Sequence, residues 1–109
     1  MEKQRTNDIY ERLSKTELDV TKFDKKPEPV PRFHSGSYKL DHILGGGWPW
    51  GRLVELYGTQ SSAKTTLAVH AVKEAQQEGK VCGYVDAEHS LDPQYAFDGI
   101  GADRKALLF

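Results

Sequence analysis

A run of small and hydroxyl-bearing residues, Gly-Thr-Gln-Ser-Ser-Ala-Lys-Thr-Thr, occupies positions 58–66. It matches the phosphate-binding pattern of glycine, four residues, glycine, lysine and serine or threonine at Gly58, Lys64 and Thr65. In such a loop the backbone N–H groups would face an anion at the positive end of the following helix. The Lys64 ammonium could reach the outer phosphates, and the Thr65 hydroxyl could bind Mg²⁺. The stretch therefore predicts a phosphate-binding loop.

The loop departs from the pattern at Ala63, which stands where the second glycine is expected. If the backbone of Ala63 must adopt a positive φ, alanine costs roughly 1 kcal/mol relative to glycine. Its methyl group would also intrude where a phosphate has to approach closely. The departure raises the question of how tightly this loop binds a phosphate.

A strand must precede such a loop and a helix must follow it. The density of apolar residues over 52–57 predicts a strand covered on both faces of an α/β sheet. Apolar residues then recur at helical spacing to about Glu78, and Gly79 ends the helix. A second apolar run, 81–86, predicts another strand. The resulting βαβ unit would bring the carboxyl ends of both strands to one edge of a parallel sheet.

Two carboxylates, Asp86 and Glu88, follow the second predicted strand at the edge where ligands bind in such sheets. A carboxylate beside a triphosphate can orient or deprotonate an attacking water, so Glu88 is a candidate general base. A helix cap, a solvated turn residue or an ion pair are the alternatives for Glu88. Asp86 could orient a metal ligand or close the strand. We expect a surface or hydrogen-bonded role for His89.

The first 32 residues combine a short helix with an extended, proline-rich segment. Asp8 can cap a helix that runs to about residue 15, with Ile9 and Leu13 four positions apart on one face. So short a helix either stays loosely attached or docks on another protein chain. The spacing of Leu18, Val20 and Phe23 predicts an extended piece. Prolines at 27, 29 and 31 exclude a further helix.

The composition is that of a soluble protein, with 109 residues and a formal net charge of −1. The small basic group of Lys22, Lys25, Lys26 and Arg32 has no interleaved aromatic residues, so we interpret it as a solvated face rather than a nucleic-acid patch. No apolar run approaches the roughly 18 residues of a membrane span, and the N-terminus lacks a secretory signal. We therefore expect a cytoplasmic location and no membrane partner.

The remaining segments predict short elements around the loop. Ser37 can cap a helix that ends at Gly45, and a glycine-rich turn with two tryptophans leads into the strand. The tryptophans are either packing lids or ligand platforms. Asp92 followed by proline predicts a helix start, and 106–109 the opening of a third strand. Cys82 is either a small core residue or a reactive thiol, and the histidines show no metal-ligand spacing.

Four blocks of the sequence resemble the first part of the bacterial RecA recombinases and their phage relatives. They are Ser-Gly-Ser-Tyr-Lys-Leu-Asp at 35–41, Gly-Arg-Leu-Val-Glu-Leu-Tyr-Gly at 51–58, Ser-Ser-Ala-Lys-Thr-Thr at 61–66 and Asp-Ala-Glu-His-Ser-Leu-Asp-Pro-Gln-Tyr-Ala at 86–96. The resemblance runs in unbroken order from about Phe33 to Phe109. Its last block is specific, because that block at this distance after a phosphate loop is not generic to nucleotide-binding proteins.

The resemblance implies a site for ATP and Mg²⁺. Lys64 and Thr65 correspond to the family's phosphate and Mg²⁺ residues, and Glu88 to the carboxylate that activates water for ATP hydrolysis. Asp92 and Tyr95 correspond to residues that contact adenine, with Tyr95 stacking on the ring. The implied catalytic residues are Glu88 and Lys64. The implied nucleotide-binding set is Gly58, Ser61, Ser62, Ala63, Lys64, Thr65, Thr66, Asp92 and Tyr95.

The fold class we predict is α/β, a phosphate-loop NTPase with the first part of a RecA-like parallel sheet and an N-terminal arm of helix and strand. Residues 1–32 would form an oligomerisation arm and proline-rich linker, and residues 33–109 the first part of the ATP-binding core. By the resemblance, the arm packs on the neighbouring protomer of a helical filament. The family's second metal-binding aspartate and its loops for single-stranded DNA correspond to positions beyond Phe109.

The expected function is that of an ATP-dependent DNA recombinase, which pairs homologous DNA and exchanges strands, with this chain as its nucleotide-site half. For the chain alone we expect weak nucleotide binding and little or no DNA-stimulated hydrolysis. The alternative is a truncated interaction protein that docks on or caps recombinase filaments without catalysis. A third possibility is an ATP-binding module of another recombination or motor protein with the same fold.

Overall fold

The computed structural model describes residues 1–20 and 26–109. Over these ranges helices and short strands alternate, so the fold is of the α/β class. Phe23 of the predicted extended piece, and Lys22 and Lys25 of the basic group, lie outside the described residues. The elements, in chain order, are α1 (Glu2–Leu13), β1 (Arg32–Phe33), α2 (Tyr38–Ile43), β2 (Trp48–Pro49), α3 (Lys64–Gln77), β3 (Cys82–Gly83), a π-helical segment (Tyr95–Ile100), a 3₁₀ turn (Arg104–Ala106) and β4 (Leu107–Leu108).

Helix α1 begins at Glu2, so the prediction that Asp8 caps it is wrong: Asp8 lies in the middle of the helix. The first turns are rich in glutamate, lysine, glutamine and arginine, which favour helix without producing an apolar stripe. The periodic apolar pattern starts only at Ile9, which is why the pattern placed the start too late. No residue of α1 is buried.

Strands β1 and β2 pair in antiparallel register, with Arg32 opposite Pro49 and Phe33 opposite Trp48. Helix α2 lies between them in the chain. Its predicted cap is confirmed, because the Ser37 hydroxyl oxygen accepts a hydrogen bond from the Leu40 N–H at 3.4 Å. The Phe33 and Trp50 rings stack with centroids 4.2 Å apart. The tryptophans therefore pack at this corner of the protein, beside β1.

The apolar core lies between α3 and the π-helical segment. Val69 of α3 is buried with Ala96, Ile100 and Ala102. Four partly buried residues pack on this cluster, namely Val72, Tyr84, Leu91 and Phe97. The Gln76 side chain ties the far end of the segment to α3, since its amide group donates to the Asp103 carbonyl at 2.9 Å and accepts from the Asp103 N–H at 2.7 Å. Helix α3, predicted from its apolar spacing, is thus the scaffold of the site.

The predicted strand over 52–57 is absent, and with it the predicted βαβ unit. Residues 53–58 have no regular secondary structure, and Leu53 and Tyr57 are 100% and 88% exposed. A strand in the middle of a sheet requires backbone partners on its flanks. Within residues 1–20 and 26–109, no strand pairs with this segment. The apolar pattern alone could not reveal that the partner strands are missing.

The second sheet is parallel, as predicted for this part of the chain. Cys82 of β3 lies opposite Leu107 of β4, and Gly83 opposite Leu108. The Tyr84 N–H extends the ladder by donating to the Leu108 carbonyl at 2.8 Å. Cys82 is half-buried, and this burial raises the pKa of its thiol. The parallel pair places the loop that follows β3 beside the start of α3.

Candidate phosphate-binding site

A cavity of about 770 Å³ opens between the start of α3 and the loop that follows β3. Its walls combine the residues of the predicted phosphate loop with Glu88, which lies more than twenty positions later in the chain. The lining residues are Gly58, Gln60, Ser61, Ser62, Ala63, Lys64, Thr65, Thr66, Glu88 and Ser90. The structure therefore brings the loop and Glu88 together, although the 52–57 strand that was expected to position the loop is not formed.

The loop holds two residues other than glycine in the left-handed region. Ser61 has φ +61° and Ala63 has φ +64°. Ala63 immediately precedes α3, and no side chain caps the helix there. The positive end of a helix of 14 residues thus faces the cavity. The positive φ of Ala63 is the conformation in which alanine is strained and glycine is not.

The Lys64 side chain folds back over the loop. Its ammonium donates to the Gly58 carbonyl at 2.9 Å and to the Thr59 carbonyl at 2.8 Å. A third hydrogen bond joins it to the Ser62 hydroxyl at 3.3 Å. Lys64 therefore braces the two ends of the loop and keeps a positive charge at the cavity wall.

Asp86 closes the loop that carries Glu88. Its carboxylate accepts from the Leu91 N–H at 2.9 Å and from the Ser90 N–H at 3.2 Å. The hydrogen bond from Leu91, followed by that from Ser90, holds the pKa of the Asp86 carboxyl below its usual value. His89 within this loop has φ +52°. Glu88 lies in the turn formed by residues 87 and 88, and it makes no ion pair with any described residue.

Burial and neighbouring charge also act on Tyr84, at the end of β3. Burial raises the pKa of its phenol, and the negative charges of Asp86 and Glu88 raise it further. The Tyr84 phenol therefore stays protonated beside these two carboxyl groups. This wall of the site carries negative charge, whereas the loop wall carries the Lys64 ammonium.

Asp92 and Tyr95 lie outside the cavity lining, at the start of the π-helical segment. The Asp92 carboxylate accepts from the Gln94 N–H at 2.9 Å and the Tyr95 N–H at 3.2 Å, so it caps this segment as the Asp-Pro pair predicts. Tyr95 is 53% exposed, and its ring lies over Gly99. These two residues flank the cavity but are not part of the walls formed by the loop and Glu88.

Two lining residues, Gln60 and Ser90, were not identified from the sequence. Gln60 lies within the loop pattern at a position that the pattern leaves open. Ser90 lies two positions after Glu88, beyond a turn at residues 87 and 88 and the left-handed backbone of His89. No local sequence pattern identifies Ser90 as a lining residue.

Over residues 1–20 and 26–109, no three His, Cys, Asp or Glu side chains lie together in a way that could hold a metal ion. In the same part of the chain, every helix is too short or too polar to cross a membrane.

Comparison with known proteins supplies the family. The family model described as the RecA N-terminal domain matches residues 6–109. Protein RecA of Marinobacter nauticus is 50% identical over 86 residues, which cover 78% of this chain and 24% of that protein. Protein RecA of Staphylococcus carnosus is 52% identical over 81 residues, 73% of this chain and 22% of that protein.

Protein RecA of Thermotoga neapolitana is 45% identical over 101 residues, which cover 92% of this chain and 28% of the relative. The chain thus spans between 22% and 28% of the length of these relatives. The matched residues include both the loop 58–66 and the segment with Glu88. The chain belongs to the RecA family and carries its N-terminal domain.

Proposed function

We propose that the cavity binds ATP and that the chain is the nucleotide-site part of an ATP-dependent DNA recombinase. The observation that carries this proposal is the position of Glu88 on the same cavity as Lys64 and the phosphate loop. A cation and a helix N-terminus on one wall favour the phosphates. A carboxylate on the other wall can orient an attacking water. The family membership supports recombination as the process that the site serves.

Each wall of the cavity has a distinct task in ATP hydrolysis. Lys64 would exchange its hydrogen bonds to the loop carbonyls for the outer phosphate oxygens. Glu88 would accept a proton from the water that attacks the γ-phosphate in line. The backbone N–H groups at the start of α3 would bind the phosphate oxygens between them.

Mg²⁺ fits the donors present on the cavity walls. The Thr65 hydroxyl lines the cavity, and Mg²⁺ is bound in such sites by few protein oxygens together with phosphate and water. Thr65 would therefore hold the ion beside the phosphates. Bound Mg²⁺ supplies neutralisation of the phosphate charge. The Thr66 hydroxyl remains available to a phosphate oxygen.

Tyr95 and Asp92 are proposed to contact adenine. The exposed ring of Tyr95 is free to stack on a base, since aromatic side chains stack on the π-faces of bases. The proposal predicts that Tyr95→Ala lowers the affinity for ATP but leaves the affinity for inorganic triphosphate unchanged. Titration calorimetry with the two ligands measures this difference. An equal loss for both ligands would assign Tyr95 a role in the fold instead.

Binding of a fluorescent ATP analogue to the 109-residue chain tests the site itself. We expect weak binding that Lys64→Ala reduces roughly tenfold or more, because a charge-assisted contact with phosphate is lost. Lys73→Ala is the matched control, since Lys73 belongs to the same helix but lies outside the cavity. Equal effects of the two substitutions would contradict the proposal.

The isolated chain is expected to show little or no ATP hydrolysis stimulated by single-stranded DNA. The regions that bind DNA in the intact family are proposed to lie in the part of the relatives that the chain does not cover. Release of phosphate with and without single-stranded DNA measures this. DNA-stimulated turnover that disappears in Lys64→Ala would show that the chain is catalytically complete by itself.

A second candidate function follows from the exposure of α1. No residue of this helix is buried, and Ile9 is largely exposed on the same face as Leu13. We therefore also consider a chain that docks residues 1–32 on a protomer of a RecA filament, either as the interprotomer arm of a homo-oligomer or as a filament cap. Residues 33–109 would remain the first part of the ATP-binding core.

Co-sedimentation with filaments of the Marinobacter nauticus Protein RecA on single-stranded DNA tests this docking. Ile9→Asp should abolish co-sedimentation, because it places a charge on the apolar face. Gln4→Asp is the matched control and adds the same charge on the opposite face of α1. Docking that survives Ile9→Asp would rule out this use of the helix.

A further inference from the structure

Asp86 is the residue of the cavity region that is most completely engaged with backbone. Its Oδ2 accepts from the Leu91 N–H at 2.9 Å and its Oδ1 from the Ser90 N–H at 3.2 Å. Its own carbonyl oxygen accepts from the His89 N–H at 3.4 Å. One residue therefore binds three consecutive N–H groups and closes residues 86–91 into a ring.

This closed loop is attached to the rigid part of the protein at both ends. Asp86 lies three positions after the end of β3, and β3 pairs with β4. At the other end Leu91 packs on the core cluster between α3 and the π-helical segment. Between the two ends, Glu88 and Ser90 line the cavity. The loop therefore joins Glu88 to the core at both ends.

The same contacts decide between the two roles that the sequence leaves open for Asp86. Each carboxylate oxygen accepts from one backbone N–H group, and Asp86 is not among the residues that line the cavity. Asp86 therefore acts on the site through the loop.

The left-handed backbone of His89 shows why this loop needs the hydrogen bonds to Asp86. His89 has φ +52°, which for a side chain with a Cβ is a strained conformation. Such a conformation persists only when neighbouring contacts over-determine it. The hydrogen bonds to Asp86 from the N–H groups of His89, Ser90 and Leu91 supply those contacts.

We propose that Asp86 is a positioning residue that holds Glu88 against the phosphate loop, because its carboxylate binds the N–H groups of Ser90 and Leu91. This inference rests on the proposed role of Glu88 in hydrolysis, but the position of Glu88 can be measured without any nucleotide. Loss of the carboxylate would release the loop and let Glu88 leave the cavity wall, while the core and the phosphate loop keep their structure.

A paramagnetic spin label in the cavity wall tests the proposal. The label is attached to Gln60→Cys in a Cys82→Ser background, and nuclear magnetic resonance records how strongly it broadens the Glu88 signals. Asp86→Ala should reduce this broadening and should increase hydrogen exchange of the Ser90 and Leu91 amides roughly tenfold, the effect of losing one such hydrogen bond. The exposed Asp98→Asn is the control and should change neither measurement.

The amides of Val69 and Ile100 report whether the core stays folded. If Asp86→Ala unfolds the core, Asp86→Asn tests the proposal instead. This variant keeps one acceptor oxygen, so hydrogen exchange should increase at only one of the Ser90 and Leu91 amides. Unchanged Glu88 broadening with a released loop, or unchanged exchange of Ser90 and Leu91, overturns the proposal. Failure of ATP to bind the wild-type chain would refute the proposed function and leave this measurement of position valid.

Discussion

Three residues other than glycine adopt a left-handed backbone in the described part of the chain, namely Ser61, Ala63 and His89. All three belong to the two loops that form the cavity. Strain of about 1–3 kcal/mol at such a residue persists only where the surroundings impose it, and it is concentrated at functional sites. The backbone geometry thus identifies the same region as the lining residues do, by an independent physical criterion.

The strain at Ala63 leads to a prediction for Ala63→Gly. Relief of the left-handed strain contributes about 1–2 kcal/mol, and the larger entropy of glycine in the unfolded chain removes about 0.4–1 kcal/mol. We therefore expect a net stabilisation of roughly 1 kcal/mol, together with tighter binding of ATP where the methyl group is removed. Urea unfolding and nucleotide titration measure the two effects.

Ala68→Gly is the control for this substitution. Ala68 lies in the middle of α3, where glycine is unfavourable by about 1 kcal/mol. The two changes are chemically identical but should shift the free energy of unfolding in opposite directions. A loss of stability in Ala63→Gly would show that the loop does not hold the conformation described here.

The lowered pKa of Asp41 predicts how the free energy of unfolding depends on pH. This carboxylate is only 9% exposed, accepts from the Ser35 N–H at 2.8 Å and lies 3.1 Å from the His34 Nδ1 atom. The hydrogen bonds of Ser35, first from its side chain and then from its backbone, lower the pKa of Asp41 from its ordinary 3.8. A lowered pKa in the folded state means that the ionised carboxylate stabilises the protein above about pH 4.

This contribution is lost as the pH falls through the lowered pKa of the folded state. Asp41→Asn should therefore destabilise the protein at pH 7 and have a smaller effect at pH 3. Urea midpoints at the two pH values measure the difference. Asp98→Asn, at an exposed position, should leave both midpoints in place. An Asp41→Asn effect that is as large at pH 3 as at pH 7 would exclude this role of the charge.

At the scale of elements, the β1 and β2 pair depends on a glycine. Gly47 has φ +116°, and a Cβ atom there would overlap the Phe33 carbonyl oxygen. Gly47→Ala must therefore move β1, and we expect a loss of roughly 3 kcal/mol from the clash and the backbone strain together. Thermal unfolding followed by circular dichroism measures it.

Gly45→Ala is the control that separates the backbone strain of a positive φ from the steric clash at Gly47. Gly45 also has a positive φ, +73°, but a Cβ atom there would meet nothing within 4 Å. Only the left-handed strain of about 1 kcal/mol should appear. Equal losses at the two positions would mean that the close approach between Gly47 and Phe33 is not maintained in solution.

The elements also show which parts of the fold could be predicted from the sequence. Helix α3 was predicted because its apolar spacing and the glycine at position 79 are local signals. The prediction of a strand over 52–57 was wrong, because strand formation depends on partner strands that no local pattern reveals. The π-helical geometry over 95–100 was not predicted, because it depends on how Ala96 and Ile100 pack against Val69. The Asp-Pro pair indicates where a helix starts but not which type of helix follows.

The site was predictable to the extent that it follows from motif spacing. The pattern identified Lys64 and the loop, and the βαβ argument expected Glu88 at the same edge. The structure brings them together through α3, β3 and β4, without the strand on which that argument relied. Ser90 and the hydrogen bonds to Asp86 could not be predicted, because a carboxylate that accepts from the backbone N–H groups four and five residues later has no sequence signature of its own.

For the whole molecule, a second concave feature is an apolar groove of about 430 Å³ between the segment 53–58 and β3. Val54 and Leu56 lie on one wall, Tyr84 lies on the other, and α3 forms the floor. Beyond the groove, Leu53 and Val85 are 100% and 95% exposed. Apolar side chains that line and flank a groove are typical of surfaces that another polypeptide segment covers.

The exposure of Leu53 gives a prediction for the isolated chain. Leu53→Lys should change the free energy of unfolding by less than about 0.5 kcal/mol, as surface substitutions do, and should reduce self-association. Val69→Ala is the contrast, because Val69 is buried and its truncation should cost about 2 kcal/mol. Urea unfolding and analytical ultracentrifugation measure the two properties. A large loss of stability in Leu53→Lys would place this residue in a core.

The position of the corner where Phe33 stacks on Trp50 determines what the intrinsic tryptophan fluorescence reports. The chain has two tryptophans, Trp48 and Trp50, and both lie on the rim of the groove. Neither belongs to the residues that line the phosphate cavity. Intrinsic fluorescence should therefore stay constant when ATP is added and shift when a polypeptide strand enters the groove. Tryptophan fluorescence would thus distinguish covering of the groove from filling of the cavity.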